Sequence, residues 1–241
     1  MKTIIHRAET RGYADLEWKK SYYTFSCEGY FQPERIDFGN LRILNEELIE
    51  PTTGYPAQPH DNIEIISFPL QGSLYHQNTQ GTTDILQPGE IQVLSTGKGI
   101  IHSEQNPSEK ERLQLLQLWI FPKQKDYLPD YKKQQFHYEE KAGKICTMIC
   151  PEPSGKELKI NQNAYISTSI LRKGDILPYL IHSPGQGTYV FVLSGKIHIA
   201  GMWMDSKDGM GIWETEVFEV KAVSEEAEIL LIEVPMELAQ Y

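Results

Sequence analysis

Two pairs of ligand-type side chains, Gln58 with His60 and His102 with Glu104, constrain this chain more than anything else in it. Side chains of a β-strand alternate faces, so residues two apart point the same way. In PAQPHDNIEI, Gln58 and His60 therefore share a face, and in GIIHSE the same holds for His102 and Glu104. Two short strands that each carry such a pair can close around one ion only if the fold brings them together. That condition calls for a β-barrel.

The surrounding sequence is consistent with one. From about Leu41 to Phe121 the chain reads as short β runs, LRILNEELI, IEIISFPL, GSLYHQN, EIQVLS, GIIHSE and LQLLQLWIF, without long helical periodicity. Turn formers separate them at Pro51 to Gly54, Thr79 to Gly81, Pro88 to Gly89 and Gly97 to Gly99. Residues 123–144 are polar, carry Pro129 and lack an amphipathic period, as expected of a linker. A second β series follows, in which FVLSGKIHI echoes the FPLQGSLYH of the first half. The expectation is an all-β chain of two tandem barrels, one over 1–122 and one over 145–241. His182 stands roughly where His60 does relative to the hairpin glycine, but no later His and carboxylate pair answers His102 and Glu104. Metal is therefore expected in the first barrel only, with the second mainly structural.

Length and charge narrow the function. A chain of 241 residues can bury two modest cores. A formal net charge of −10 spares no basic face for phosphate backbones, so direct nucleic-acid binding is not expected and a small ligand or protein partner is. No stretch has the apolar length to cross a bilayer, and MKTIIHRAETRGY lacks the marks of a secretory signal, which predicts a cytoplasmic protein. Cys27, Cys146 and Cys150 form no paired pattern. Cys146 and Cys150 share strand parity, yet read better as small core residues than as zinc ligands.

Two imidazoles and one carboxylate form the donor set of non-haem iron sites with open positions, whereas calcium or magnesium would require oxygen ligands throughout. One divalent transition metal is expected, iron first, then nickel, copper or manganese. The Gln58 amide oxygen is a weaker donor than imidazole, so looser metal retention is expected there. A lone strand histidine is more often a surface or core residue, which is the reading given to His6, His76, His137, His182 and His198. Tyr22, Tyr23, Phe25, Tyr30 and Phe31 either line a pocket for an aromatic ligand or pack across the barrel.

GIIHSEQN also fits the spacing Gly99, two residues, His102, three residues, Asn106 that marks the second motif of cupin barrels. With TFSCEGYF, PHDNIEI, LQGSLYHQNTQG, PGEIQVLSTGKGIIHSEQNP, LQLLQLWIFP, DGMGIWET and LLIEVP, the chain resembles the pirin family of bicupins from about His6 to Pro235. The resemblance implies two jelly-roll barrels and one metal, usually iron, held by three histidines and a glutamate. Those positions fall here on Gln58, His60, His102 and Glu104, with Gln in place of the first His. Glu64 shares parity with His60 and lies where many cupins place a carboxylate ligand; the resemblance gives that role to Glu104 and leaves Glu64 as a lesser candidate for a group hydrogen-bonded behind the ligands. Some pirins are similar to quercetin 2,3-dioxygenases, which implies oxidative cleavage of a flavonol with dioxygen. Replacement of the first histidine supports the alternative, a non-enzymatic regulatory or redox-sensing protein that binds a protein partner. The family also implies a monomer. Catalytic residues other than the ligands are not identified, and no phosphate clamp supports a cupin sugar-phosphate isomerase.

Overall fold

In the computed structural model, which describes residues 1–238, the chain is the expected all-β bicupin: two jelly-roll barrels, each a seven-stranded sheet facing a four-stranded one. In the first, the large sheet runs Asp130–Gln135, Glu90–Ser95, Glu64–Gln71, Leu113–Ile120, Leu41–Ile49, Lys19–Tyr23, Gly12–Asp15. Its small sheet runs Gly54–His60, Ile100–Gln105, Leu74–Asn78, Thr83–Leu86. The second barrel repeats the plan, with Gln186–Ser194, Glu226–Pro235 and Tyr165–Arg172 at the middle of its large sheet. The echoed hairpins occupy matching places, each turning at a glycine with positive φ, Gly72 at 74° and Gly195 at 82°.

Strand parity organises the packing. Along the large sheet of the first barrel, Leu44, Ile66, Phe68, Val93, Leu116 and Leu118 join one apolar core with Tyr189, Phe191, Leu230 and Ile232 of the second barrel. The alternate residues Asn45, Glu47, Ser67, Gln92, Gln117 and Trp119 face the interior of the first barrel, where they line its cavity or hydrogen-bond there. Burial of both faces is why LQLLQLWI has apolar residues of either parity. The two interiors differ. That of the second barrel is one apolar cluster of 16 buried residues. In the first barrel the apolar residues form separate clusters of 5 and 4. Polar side chains occupy the space between.

Two segments cross the divisions drawn from sequence. Lys2–His6 leaves the first barrel and pairs with Gly209–Trp213 in the large sheet of the second. Within 123–144, expected as a linker, Asp130–Gln135 pairs antiparallel with Glu90–Ser95 and Tyr138–Lys141 forms a single helical turn. As an edge strand with one face in solvent it carries mostly polar residues, which hid it from a search for apolar periodicity. Among the described residues no helix is long and apolar enough to cross a membrane.

Buried polar contacts tie the lobes together. Glu46 takes Arg11 Nη1 at 3.3 Å and Lys207 Nζ, from the second barrel, at 3.1 Å. Glu64 does not stand behind the ligands: it accepts from Ser95 Oγ at 2.7 Å and from the backbone N–H and Nδ2 of Asn161, each at 3.3 Å. The turn at Asn62, with φ of 50°, separates the strand of Glu64 from that of His60 and resets parity, so Glu64 faces the other lobe. Burial raises its carboxyl to about 7, against the hydrogen bonds from Ser95 and Asn161. A folded-state value raised above the ordinary 4.5 means that the stability from this group is present below that value and lost as pH rises through about 7. Urea unfolding followed from pH 5 to 8 is expected to show the wild type losing stability relative to the Glu64→Gln variant as pH rises toward 7, since the lowered histidines act on both proteins alike.

Candidate metal centre

The strand Ile100–Gln105 places His102 and Glu104 on one inward face, between Gly54–His60 on one side and Leu74–Asn78 on the other. His102 lies opposite Gln58 in one register and opposite Asn78 in the other, while Glu104 lies opposite His76. The parity argument is therefore met in space: Gln58, His60, His102 and Glu104 all line one cavity of about 230 Å³ inside the first barrel. A Cβ added at Gly54 would lie 2.3 Å from the Glu104 carbonyl, so only glycine lets the neighbouring strand approach this closely. Asn106, the last residue of the motif, serves the backbone: its Nδ2 donates to the carbonyls of Ile49 and Glu111.

Glu104 is a buried carboxylate held from several strands. Its Oε1 accepts from Ser67 Oγ at 3.1 Å and Gln92 Nε2 at 2.5 Å, and its Oε2 from Gln117 Nε2 at 2.7 Å. The Gln117 amide cannot turn over, because its Oε1 accepts from Trp119 Nε1 at 2.8 Å. Burial opposes charge on Glu104, but the neighbouring His76 and His102 imidazoles and the Gln117 amide outweigh it and hold the carboxyl below its usual range. Oε2, with one donor, retains a lone pair for an ion.

The imidazoles are poised differently. Nε2 of His60 and both ring nitrogens of His102 are buried without any hydrogen-bond partner. The two rings are 5.1 Å apart, and His60 packs edge-on to Trp119 at 4.9 Å. Burial lowers His60 and takes His102 down to about 4, so both are neutral donors at physiological pH. Buried polar atoms are nearly always partnered, and such a cluster of unpartnered nitrogens beside a carboxylate fits a divalent transition metal. His60, His102, Glu104 and Gln58 all line the cavity in which these atoms lie.

His76 was read from sequence as an ordinary core or surface residue, yet it lies within this cluster: donor atoms of His76, His102 and Glu104 are all within 4.8 Å of one another. Its Nε2 is engaged by Asn78, while its Nδ1 is buried without a hydrogen-bond partner. Asn78 Oδ1 accepts from the backbone N–H groups of Gln80 and Thr82, so Asn78 Nδ2 is left to donate to His76 Nε2 at 3.1 Å. The ring proton is then on Nδ1, which faces Glu104 Oε1 at 3.9 Å. His76 stacks on Tyr131 of the edge strand, with ring centroids 4.8 Å apart. The shared parity of His76 and Asn78 in LYHQN was the available signal. Of the aromatic segment, Phe25 enters the core between the lobes, Tyr23 stacks on Tyr30, and Phe31 is exposed. Cys27 and Glu28 line the cavity instead. In the second barrel His182 Nδ1 is 2.8 Å from the buried Glu233, which also accepts from Tyr179.

Residues 5–120 match a family model described as Pirin, and residues 147–234 one described as Quercetinase C-terminal cupin domain. A protein of Escherichia coli named quercetin 2,3-dioxygenase is 32% identical over 96% of this chain and 98% of its own length. A pirin-like protein of Caulobacter vibrioides is 31% identical over 92% and 95%. The crystal structure of the Escherichia coli bacterial pirin YhhW in complex with nickel(II) superposes with a TM-score of 0.91 at 31% identity, covering 97% of this chain and 99% of that one.

Removing a group that orients a ligating carboxylate costs about tenfold to a hundredfold in metal affinity. Gln117→Leu is expected to weaken nickel(II) or iron(II) binding by that factor in chelator competition, with the fold intact by circular dichroism.

Proposed function

The chain belongs to the pirin family, and on that premise we propose that it is a metal-dependent dioxygenase of the quercetin 2,3-dioxygenase type, acting on a polyphenol or related enediol. The observation that carries this reading is the set of buried, unpartnered nitrogens of His60 and His102 beside Glu104, in a cavity wide enough for a ligand. In this reading His60, His102 and Glu104 hold the metal, with Gln58 or water at the fourth vertex. Iron is the first candidate, followed by nickel, copper and manganese.

When bound, a divalent transition metal supplies Lewis-acid stabilisation of an ionised hydroxyl and couples substrate oxidation to dioxygen. The protein side of the reaction is positional. Neutral His60 and His102 present lone pairs without first losing a proton. Glu104, held by Ser67, Gln92 and Gln117, contributes one negative charge at a fixed place. With one carboxylate against the two positive charges of a bound metal, the centre would stay net positive and would favour an anionic oxygen donor such as an enolate. Ile43 and Trp119 give the cavity an apolar wall that keeps bulk water from the reacting ring. With a flavonol, both atoms of dioxygen would enter the ester product as two ring carbon–carbon bonds break and the carbon between them leaves as carbon monoxide, so no separate reductant is required.

Protein loaded in turn with iron, nickel, copper and manganese is expected to consume oxygen in the presence of quercetin with at least one metal, and His102→Ala to consume none. Metal-loaded protein inactive with every flavonol and enediol offered would remove the dioxygenase reading and leave the regulatory one, which Gln58 supports.

A further inference from the structure

The cavity has a second polar wall that the metal ligands do not explain. Ile43, Asn45 and Glu47 project into it from alternate positions of the strand Leu41–Ile49. Glu47 is 2% exposed, and its two carboxylate oxygens differ. Oε1 is crowded by donors: Tyr55 Oη at 2.5 Å, Ser21 Oγ at 3.3 Å and Lys19 Nζ at 3.4 Å. Oε2 is buried with no donor at all. Beside it, Asn45 has its Nδ2 directed at Cys27 Sγ, 3.6 Å away, and its buried Oδ1 likewise lacks a partner. Two acceptors from one face of this strand are thus left without a donor, where nearly every buried polar atom would be satisfied.

We propose that Glu47 and Asn45 are the specificity-determining residues of the site, accepting hydrogen bonds from the second hydroxyl of a vicinal diol carried on a single ring. The inference rests on the cavity being the substrate site, and it names which substrates fit. Twelve residues line the cavity; three of them are glutamates, Glu28, Glu47 and Glu104, and none is Lys or Arg. A ligand that brings carboxylate or phosphate could set one oxygen on the metal side, but its remaining anionic oxygens would meet the acceptors of Glu47 and Asn45. A catechol or enediol brings donors: one hydroxyl turns to the histidine side and its neighbour to Glu47 and Asn45. Ile43 and Trp119 cover the faces of the ring. Size agrees, since about 230 Å³ falls below the roughly 300–1,000 Å³ that enclose whole drug-sized ligands. One ring enters, and the remainder of a larger ligand would lie beside Glu28, whose side chain is 42% exposed.

Glu47→Gln is a pointed test. Its amide oxygen must face the Tyr55, Ser21 and Lys19 donors, which turns the NH2 toward the cavity and replaces an acceptor with a donor. Nickel(II)-loaded protein would be titrated with catechol, guaiacol, in which one hydroxyl is methylated, and benzoate, with binding read by calorimetry and metal content checked in each sample. Catechol is expected to bind at least about tenfold more tightly than guaiacol, the scale of one buried hydrogen bond, and benzoate more weakly than catechol. In Glu47→Gln the preference for catechol over guaiacol should fall to near unity with nickel retained; should that variant not fold, Asn45→Ala is expected to reduce the preference several-fold. An unchanged preference in the variants, no preference in the wild type, no catechol binding, or tight benzoate binding would each overturn the proposal. Oxygen uptake with quercetin separates the two readings. Uptake with an unchanged catechol preference in Glu47→Gln sinks the acceptor wall and leaves the dioxygenase standing. A Glu47-dependent preference without uptake does the reverse.

Discussion

A carboxylate kept charged inside a β-barrel is the constraint on which the rest of the first lobe depends. Glu104 is 2% exposed, and removing an ion from water costs several kcal/mol unless partners replace the solvent. Those partners come from three strands of the facing sheet: Ser67 from Glu64–Gln71, Gln92 from Glu90–Ser95 and Gln117 from Leu113–Ile120. Each sits where its neighbours along the strand are core residues, and each thereby gives up an apolar contact. The donors are neutral, so the charge is solvated but not cancelled. In the proposed reading, a cation beside His60 and His102 would complete the balance.

The second barrel shows what the same architecture does without that demand. Its interior is filled by a continuous apolar cluster that includes Tyr179, Met204, Met210 and Phe218. Its buried carboxylate Glu233 is fully engaged by Tyr179, the His182 backbone and the His182 ring. Fusing the large sheets of both barrels into one core fixes the back wall of the first barrel, and with it Asn45, Glu47 and Gln117, to the most extensively packed part of the molecule. Precision at a site comes from such support.

The sequence made the architecture and the strand pairs of the site legible because both depend on parity. Gln58, His60, His102 and Glu104 could be brought together on paper from two alternations and the family resemblance. Contacts between strands distant in sequence were not legible. His76 looked ordinary until the register set it opposite Glu104, and the engagement of its Nε2 depends on the way Asn78 is turned by Gln80 and Thr82. Glu64 was misplaced because a parity count was carried across the turn at Asn62. Exchange of Lys2–His6 into the second lobe and the docking of Asp130–Gln135 leave no periodic trace, since both are edge strands. Glu47 and Asn45 read as unremarkable polar residues in LRILNEELI; only their unpartnered atoms mark them.

Anomalous scattering from crystals of the metal-loaded protein would locate the ion directly. The account predicts a single strong peak inside the first barrel, about 2.0–2.3 Å from His60 Nε2, a ring nitrogen of His102 and Glu104 Oε2, with His76 Nδ1 outside bonding distance. A peak that His76 ligates in place of His60, or one at His182 and Glu233 in the second barrel, would contradict it.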